Sequence, residues 1–332
     1  MKYQIIIDEE IKEMAAQAVA QGKILDLKND IVFKSFFSKE CKESAYCRQK
    51  MLSAVIGRTV TETKVLNPEI LPTRTDGKFP RLDIHCKLDD GSEVDVEIQN
   101  SMYQDDQIKR SIYYAATLTH NALTSGDQYA LLPHVYQIMF MDFTVVEDNR
   151  LHHSYVFKER ENHKELSDIA QIHYIELPKI TGIIKTPPKT LSELEFWSML
   201  IMSKEQPKAR AFLSKLAQKE EMIMANALLS TMSRNPQEWE NQYGYERFVH
   251  DCVSREKYAF SQGERQGIAQ GIQQGIQQGI AKGIQQGITQ GITQGEHNAK
   301  LETARRMLQD GLTTELTAKY SGLSITEVKC LQ

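Results

Sequence analysis

The sequence lacks the cysteine arrangements that are typical of a structural zinc site or of a disulfide framework. Its five cysteines are odd in number, and no two of them form a CxxC pair. It also lacks an apolar run of the roughly 18 residues that cross a bilayer, and its apolar N-terminus meets acidic residues too early for a signal peptide. These absences predict a cytoplasmic protein that has no membrane partner.

The sequence also lacks a large excess of charge of one sign, because the net charge of the 332 residues is only −4. Any binding of nucleic acid would therefore depend on local patches or metal ions rather than on the field of the whole protein. The sequence has neither a glycine-rich phosphate loop nor a Ser/His/Asp signature. What is present, 41% apolar and 25% charged residues, is ordinary for a soluble globular protein of one large domain or two.

The chain separates by pattern into five segments. A helical leader is predicted over residues 1–26, an α/β core over 27–185 and a helical extension over 186–260. Repeated tetrads that begin with glycine occupy 261–298, as a helix or as a linker. Residues 299–332 are predicted to form short helices that resemble a helix-turn-helix unit, for which we favour packing or oligomerisation over the reading of DNA bases.

Helices and strands alternate in the predicted core, which indicates an α/β fold with a mixed central sheet flanked by helices. Its first helix begins at Asn29 or Asp30, either of which can cap it, and ends at Gly57. The other predicted elements, in chain order, are a strand within 64–71, a hairpin at 81–99, a helix at 103–123, and strands at 134–143 and 171–177.

The hairpin at 81–99 has a register that its own alternation determines. The apolar residues within 82–88 and within 94–98 all occupy even positions, and strand side chains alternate between the two faces. A three-residue loop at 89–91, with its glycine in the left-handed conformation, places both apolar sets on one face. The alternative two-residue turn would put Asp83 on that apolar face, and we exclude it for this reason.

The predicted register has a chemical consequence, because it sets Asp83 directly opposite Glu97 and Gln99 opposite Arg81. Two carboxylates that face each other across a ladder repel, and a cation between them offsets that repulsion. Carboxylates suit hard divalent ions such as Mg²⁺, which also bind substrate phosphates. The plain alternative is that Asp83 and Glu97 lie on a solvated face of the sheet without a ligand.

A family resemblance rests on three segments, 29–37 (NDIVFKSFF), 80–99 (PRLDIHCKLDDGSEVDVEIQ) and 109–118 (KRSIYYAATL), together with the repeated tail. Over nearly its whole length the chain resembles the recombination-promoting nucleases and related transposase-like proteins, which have a PD-(D/E)XK nuclease core. The resemblance implies a restriction-endonuclease-like fold and metal-dependent DNA cleavage, linked to recombination or mobile elements. It also implies DNA as the partner and Mg²⁺, or Mn²⁺ or Ca²⁺, as the cofactor.

Carried over to this sequence, the resemblance makes Asp83 the first acid, with two residues between it and Pro80 rather than none, and Glu97 the second acid. The carbonyl oxygen of Ile98 would be a further metal ligand. Gln99 stands where a lysine is usual, and a glutamine cannot carry charge or act as a base. It can still position water or fill a place around the metal ion. The departure leaves open a catalytically weak or inactive DNA-binding protein that assembles through its tail.

The helix predicted at 103–123 contributes Gln107, Arg110 and Tyr114, which share one face because they are three and four residues apart. We predict that this face contacts a substrate phosphate. Arg110 would clamp the phosphate through two hydrogen bonds, and Tyr114 would support it. The alternative is a structural ion pair between Arg110 and either Glu97 or Asp95.

Two further residues have competing interpretations. Asp30 lies at the start of the first helix, where many relatives of the resembled fold contribute an acid to the metal site. It is equally well explained as an N-cap that stabilises the helix by about 1 kcal/mol. His85 faces the same side as Asp83 and is predicted to be a hydrogen-bonded structural residue.

The tail repeats in nine tetrads from Gly263 to Asn298, most of which have isoleucine in second place. Four residues advance the face of an α-helix by about 40° beyond one turn, and each internal glycine costs about 1 kcal/mol relative to alanine. We expect a helix that associates with other copies through its isoleucines, which predicts a homo-oligomer. A flexible linker is the alternative.

Overall fold

The computed structural model describes residues 8–67, 82–100, 106–185 and 190–332. The chain forms two compact units, Met1–His250 and Asp251–Gln332. The strands are β1 (Thr63–Val65), β2 (Ile84–Leu88), β3 (Glu93–Gln99), β4 (Val135–Met141), β5 (His152–Lys158) and β6 (Glu165–Glu176). The helices are α1 (Glu9–Ala20), α2 (Asp30–Ser38), α3 (Lys42–Ile56), α4 (Gln107–Asn121), α5 (Ile180–Lys185), α6 (Glu193–Ile201), α7 (Pro207–Ser214), α8 (Glu220–Ser233), α9 (Pro236–Gln309), α10 (Thr314–Ser321) and α11 (Ile325–Lys329).

The six strands form one mixed sheet in the order β1-β2-β3-β4-β6-β5. The pairs β3–β4 and β4–β6 are parallel, and the other neighbours are antiparallel. The predicted α/β architecture with a mixed central sheet is therefore confirmed. The edge strand β5 was not predicted, because most of its side chains are exposed or half-buried and its apolar residues do not alternate regularly.

The predicted hairpin register is confirmed. Ile84 lies opposite Val96, and Cys86 lies opposite Val94. The loop is three residues long, since the backbone N–H of Leu88 donates to the carbonyl oxygen of Ser92. Gly91 has a φ of +86°, a conformation that residues with a side chain rarely adopt.

One detail of the hairpin prediction was wrong, namely the face on which Leu82 lies. The ladder begins at Ile84, and the chain bends just before it. Leu82 is buried in a separate cluster with Tyr114, Leu118 and Val135, away from the core that contains Ile84. The strict alternation therefore ends where the strand does. Pro80, Arg81 and residues 68–71, half of the strand predicted within 64–71, lie outside the described residues.

The single helix predicted up to Gly57 is two helices, α2 and α3. The break is stabilised by side chains of α3 that satisfy the free carbonyl groups at the end of α2. The hydroxyl of Ser44 donates to the carbonyl oxygen of Phe36 at 2.6 Å, and the guanidinium of Arg48 donates to that of Phe37 at 2.6 Å. Gly57 ends α3, as predicted, and has the left-handed conformation.

The main core lies on one face of the sheet, beneath α2, α3, α6 and α8. Aromatic rings of α2 form its centre: Phe33 lies 4.9 Å from Phe37 and 5.7 Å from Phe140 of β4, measured between ring centroids. Phe37 also contacts Trp197 of α6, at 6.1 Å. Helix α4 covers the opposite face, where Ser111 and Tyr174 share a hydrogen bond of 2.6 Å. The two faces are therefore covered by different helices.

The second unit contains the tetrad repeats, all of which lie within α9, and the short helices α10 and α11. Ala304, Ala318, Leu323 and Val328 form its small buried cluster. Gly322 ends α10 with a φ of +70°. Within the described ranges, none of the helices combines the length and apolarity that a bilayer crossing requires.

Replacing Phe37 by alanine tests how far the fold depends on the aromatic centre of the core. Phe37 is fully buried, so we expect Phe37→Ala to lower the free energy of unfolding by about 3–5 kcal/mol. The matched control is Phe157→Ala, because Phe157 is 56% exposed and such changes are usually within about 0.5 kcal/mol. Urea unfolding followed by tryptophan fluorescence measures both, and equal effects would contradict the packing described.

Candidate active site

Polar side chains of β3 converge with the starts of two helices at the carboxyl ends of the parallel strands. Asp95, Glu97 and Gln99 alternate with buried apolar residues and face α4, on the side of the sheet away from the main core. Asp83 immediately precedes β2 and reaches the same edge. Ligands of open α/β sheets bind at the carboxyl ends of the strands, so this edge is the candidate site.

Asp83 and Glu97 are brought together, as the hairpin register predicts. The backbone N–H of Asp83 donates to Oε1 of Glu97 at 3.1 Å, and the backbone N–H of Ile98 donates to Oδ2 of Asp83 at 3.4 Å. The Glu97 side chain is fully buried and that of Asp83 is 7% exposed. The solvated face that was the plain alternative is therefore ruled out for this pair.

Glu97 is held by two donors from its neighbours. The amide of Gln99 donates to Oε2 of Glu97 at 2.9 Å, and Nη2 of Arg110 donates to the same oxygen at 2.8 Å. A longer hydrogen bond of 3.5 Å joins Nη1 of Arg110 to Oε1 of Gln99. The guanidinium also lies over the ring of Tyr114, 5.1 Å from its centroid. Of the two ion pairs considered for Arg110, the structure thus contains the one with Glu97.

The start of α2 brings a third carboxylate to Asp83 through a lysine that the sequence did not single out. Nζ of Lys34 lies 2.8 Å from Oδ2 of Asp30 and 2.8 Å from Oδ1 of Asp83. The N-cap of α2 is Asn29, whose side chain accepts hydrogen bonds from the backbone N–H groups of Ile31 and Val32. The capping role considered for Asp30 was therefore wrong. The spacing of four residues between Asp30 and Lys34 was the sequence feature that could have predicted their ion pair.

The hydroxyl of Tyr245, in α9, was also missed, because it comes from a helix far along the chain. Burial raises the pKa of Tyr245 above its ordinary value, and the charge of the neighbouring Asp30 adds to the effect. Tyr245 therefore lies close to the charged groups at the first turn of α2.

The carboxyl groups of the site resist ionisation. Burial raises the pKa of Asp83 well above its ordinary value, and the charge of Glu97 adds to this, whereas Lys34 opposes it. Burial and then the charge of Asp95 raise the pKa of Glu97 from 4.5 to about 8, although Arg110 opposes them. Desolvation thus outweighs both ion pairs.

Asp95 is a further member of the acidic set, although the sequence interpretation gave it only as a partner for Arg110. It is fully buried, and its Oδ2 accepts a hydrogen bond of 2.7 Å from the amide of Gln137. Its Oδ1 has no partner in the part of the chain that the structure describes. Burial, followed by the charge of Asp83, raises its pKa well above the ordinary value. Its position two residues before Glu97, on the same face of β3, was the sequence feature that could have identified it.

The remaining predicted residues are placed as follows. Gln107 lies on the buried face of α4 with Arg110 and Tyr114, and neither atom of its amide has a partner among the described residues. Ile98 has its side chain in the main core, so only its backbone is available to the site. His85 is hydrogen-bonded to the carbonyl oxygen of Asn67, which agrees with a structural role.

The donor set fits a hard divalent ion, although the described residues contain no group of three or more His, Cys, Asp or Glu arranged as a ready metal site. Asp83 and Glu97 supply carboxylate oxygens, which such ions prefer. Burial and mutual repulsion raise the pKa of both carboxyl groups, and a bound cation would offset that effect. Lys34 and Arg110 already balance part of this charge.

Comparison with known proteins adds one finding. Residues 27–259 match a family model that is described as PD-(D/E)XK nuclease family transposase. This range contains the whole sheet and the candidate site, from Asp30 to Tyr245. No curated protein and no solved structure matches the chain.

The raised pKa of Glu97 predicts how stability depends on pH in the absence of divalent ions. Between pH 4.5 and about 8 the folded protein retains a proton that the unfolded chain has released, so stability falls as pH rises through that window. We expect Glu97→Gln to remove part of the fall, on the order of a few kcal/mol at most. Urea unfolding in chelator at several pH values measures it. The exposed Glu165→Gln is the control, and a Glu97→Gln profile as steep as that of the unaltered protein would contradict the prediction.

Proposed function

The chain belongs to the PD-(D/E)XK nuclease family transposases, and we propose that it is a divalent-metal-dependent DNA endonuclease that hydrolyses phosphodiester bonds. Its family membership and its restriction-endonuclease-like sheet indicate a nuclease-like function related to mobile elements. The observation that supports DNA cleavage is the buried pair of Asp83 and Glu97 at the carboxyl edge of the parallel strands. A role in DNA recombination is part of the proposal.

Asp83 and Glu97 would hold the ion, which we propose to be Mg²⁺, or Mn²⁺ or Ca²⁺ in its place. The carbonyl oxygen of Ile98 and the carboxylate of Asp30 would complete the set of protein ligands. A bound divalent ion would supply Lewis-acid polarisation of the phosphodiester. In our proposal Asp83, Glu97 and Gln99 carry the catalysis, with Gln99 orienting the carboxylate of Glu97 and a water molecule through its amide.

Helix α4 would position the substrate phosphate. The Arg110 side chain is 24% exposed, and guanidinium groups bind phosphate oxygens through two parallel hydrogen bonds. Tyr114 supports Arg110 from below, at 5.1 Å. The amide of Gln107, which has no partner among the described residues, lies one turn earlier on the same face and offers a further donor.

A second candidate function is DNA binding or assembly without efficient cleavage. It is favoured by Gln99, which cannot supply charge or accept a proton, and by the engagement of one Glu97 oxygen by both Gln99 and Arg110. Magnesium binding without DNA cleavage at stoichiometric protein would support this function over the first.

We also propose that the chain forms homo-oligomers through the repeats of α9. Seven isoleucines follow one another at every fourth position, and each is 57–59% exposed: Ile268, Ile272, Ile276, Ile280, Ile284, Ile288 and Ile292. A helix with a glycine in every turn is weak by itself, and these isoleucines stay open to solvent in the described part of the chain. Packing against the same segment of another copy would bury them.

The proposed compartment is the cytoplasm, where the substrate DNA of a mobile-element protein would be. The five cysteines are free thiols, and Cys47 and Cys86 are buried. Free thiols are typical of proteins in a reducing environment.

Removal of either proposed ligand tests the endonuclease function. We expect Asp83→Asn and Glu97→Gln to lower plasmid cleavage with Mg²⁺ at least about 100-fold, because each removes a carboxylate that would hold the divalent ion. Asp127→Asn, in an exposed loop, is the control and should cleave normally. Undiminished cleavage in both site variants would refute the proposal, and thermal unfolding of each variant separates inactivity from misfolding.

Charge on the isoleucine stripe tests the oligomer. We expect the double variant Ile276→Glu and Ile284→Glu to have a smaller mass in light scattering, because a buried unpaired carboxylate is costly. The control, Gln277→Glu and Gln285→Glu, adds the same charge one residue further along and should keep the original mass. An unchanged mass in the isoleucine variant would show that association does not use this stripe.

A further inference from the structure

Lys34 occupies a position in the site that its two carboxylate partners define. Its Nζ lies 2.8 Å from both Oδ2 of Asp30 and Oδ1 of Asp83. The lysine side chain is 31% exposed, whereas those of Asp30 and Asp83 are 12% and 7% exposed. Lys34 is therefore the most accessible of the three side chains.

Phosphodiester hydrolysis increases the negative charge on the phosphoryl oxygens, and positively charged groups that face those oxygens lower the barrier. The polar row of β3 consists of Asp95, Glu97 and Gln99 and supplies no cation. Arg110 already donates to Glu97 and, over a longer distance, to Gln99. A second positively charged side chain would therefore help to stabilise the phosphoryl oxygens, and Lys34 of α2 is such a side chain.

The hydrogen-bonding capacity of Lys34 is only partly used. An ammonium group has three N–H donors, and the two carboxylates account for two of them. In the described portion of the chain, the third has no carboxylate partner. Burial lowers the pKa of Lys34, but the charges of Asp83 and Asp30 outweigh it and raise the pKa above the ordinary value, so the group remains a cation.

We propose that Lys34 donates this third N–H to a non-bridging oxygen of the scissile phosphate and so supplies from α2 the positive charge that Gln99 cannot supply from β3. The inference rests on the proposed endonuclease function and deepens it by one residue. A purely structural lysine is available for comparison in the same part of the chain. Lys39, directly after α2, forms an ion pair of 2.8 Å with Glu238 away from the site.

Four variants test the proposal: Lys34→Met, Lys34→Arg, the double variant Lys34→Met with Gln99→Lys, and the control Lys39→Met. Single-turnover cleavage of a supercoiled plasmid is measured at saturating Mg²⁺, with Asp83→Asn as the inactive reference. We expect Lys34→Met to lose about 100-fold in rate and Lys34→Arg to recover most of it. The double variant should regain at least about tenfold over Lys34→Met, since it returns a cation to the same phosphate, and Lys39→Met should stay within about twofold of the unaltered protein.

Magnesium binding without DNA, measured by calorimetry, provides a readout besides activity. Lys34→Met should bind Mg²⁺ as tightly as the unaltered protein or more tightly, because it removes a positive charge beside Asp83. Weaker binding would mean that Lys34 acts only by holding the carboxylates in place, which would overturn the proposal. Thermal unfolding checks that each variant is folded, and Lys34→Gln replaces Lys34→Met if the latter is not.

Two other results would also overturn the proposal. If Lys34→Met cleaves within threefold of the unaltered protein while Asp83→Asn is inactive, the endonuclease function stands and the role of Lys34 fails. If the double variant gains nothing over Lys34→Met, the lost activity is not a matter of missing charge at the phosphate. By contrast, absence of cleavage by the unaltered protein with any divalent ion would refute the endonuclease function itself, and this inference with it.

Discussion

The cost of keeping carboxylates out of water governs the arrangement of the candidate site. Buried acids persist only where cations or hydrogen-bond donors face them. Lys34 of α2 faces Asp83, and Arg110 of α4 faces Glu97. Because α2 and α4 cover opposite faces of the sheet, these two ion pairs attach a helix from each side to the same hairpin. The charge balance of the site and the position of its two flanking helices are thus the same set of contacts.

This balance gives a physical reason for an amide at position 99. Gln99 donates to Glu97 and accepts, at 3.5 Å, from Arg110. An ammonium group has no acceptor, so a lysine there could not accept the hydrogen bond from the guanidinium. The site therefore has Lys34 on one side and Arg110 on the other. The neutral side chain of Gln99 joins Glu97 and Arg110. The departure from the expected lysine need not mean a loss of charge, because Lys34 carries that charge on a different element.

Local rules in the sequence were sufficient for some features and not for others. The hairpin register follows from the period of two alone, and that period is enough to place Asp83 against Glu97. The break after α2 depends on Ser44 and Arg48, which donate hydrogen bonds to carbonyl groups eight and eleven residues earlier. The periodic pattern of apolar residues does not predict such hydrogen bonds. Lys34 was overlooked for a similar reason. Its partner Asp83 is distant in sequence, and a charged residue on a helix is usually solvated.

The repeats of α9 have a consequence for how such a chain can vary. One tetrad lengthens an α-helix by about 6 Å and turns whatever follows it by about 40°. Each repeat has glycine at the same place, and the isoleucines of the seven inner repeats have nearly equal exposure. A gain or loss of one inner repeat therefore leaves the surroundings of the other residues nearly unchanged. A change in the number of tetrads would then alter the length of α9 in steps of about 6 Å, without any change to the sequence on either side of the repeats.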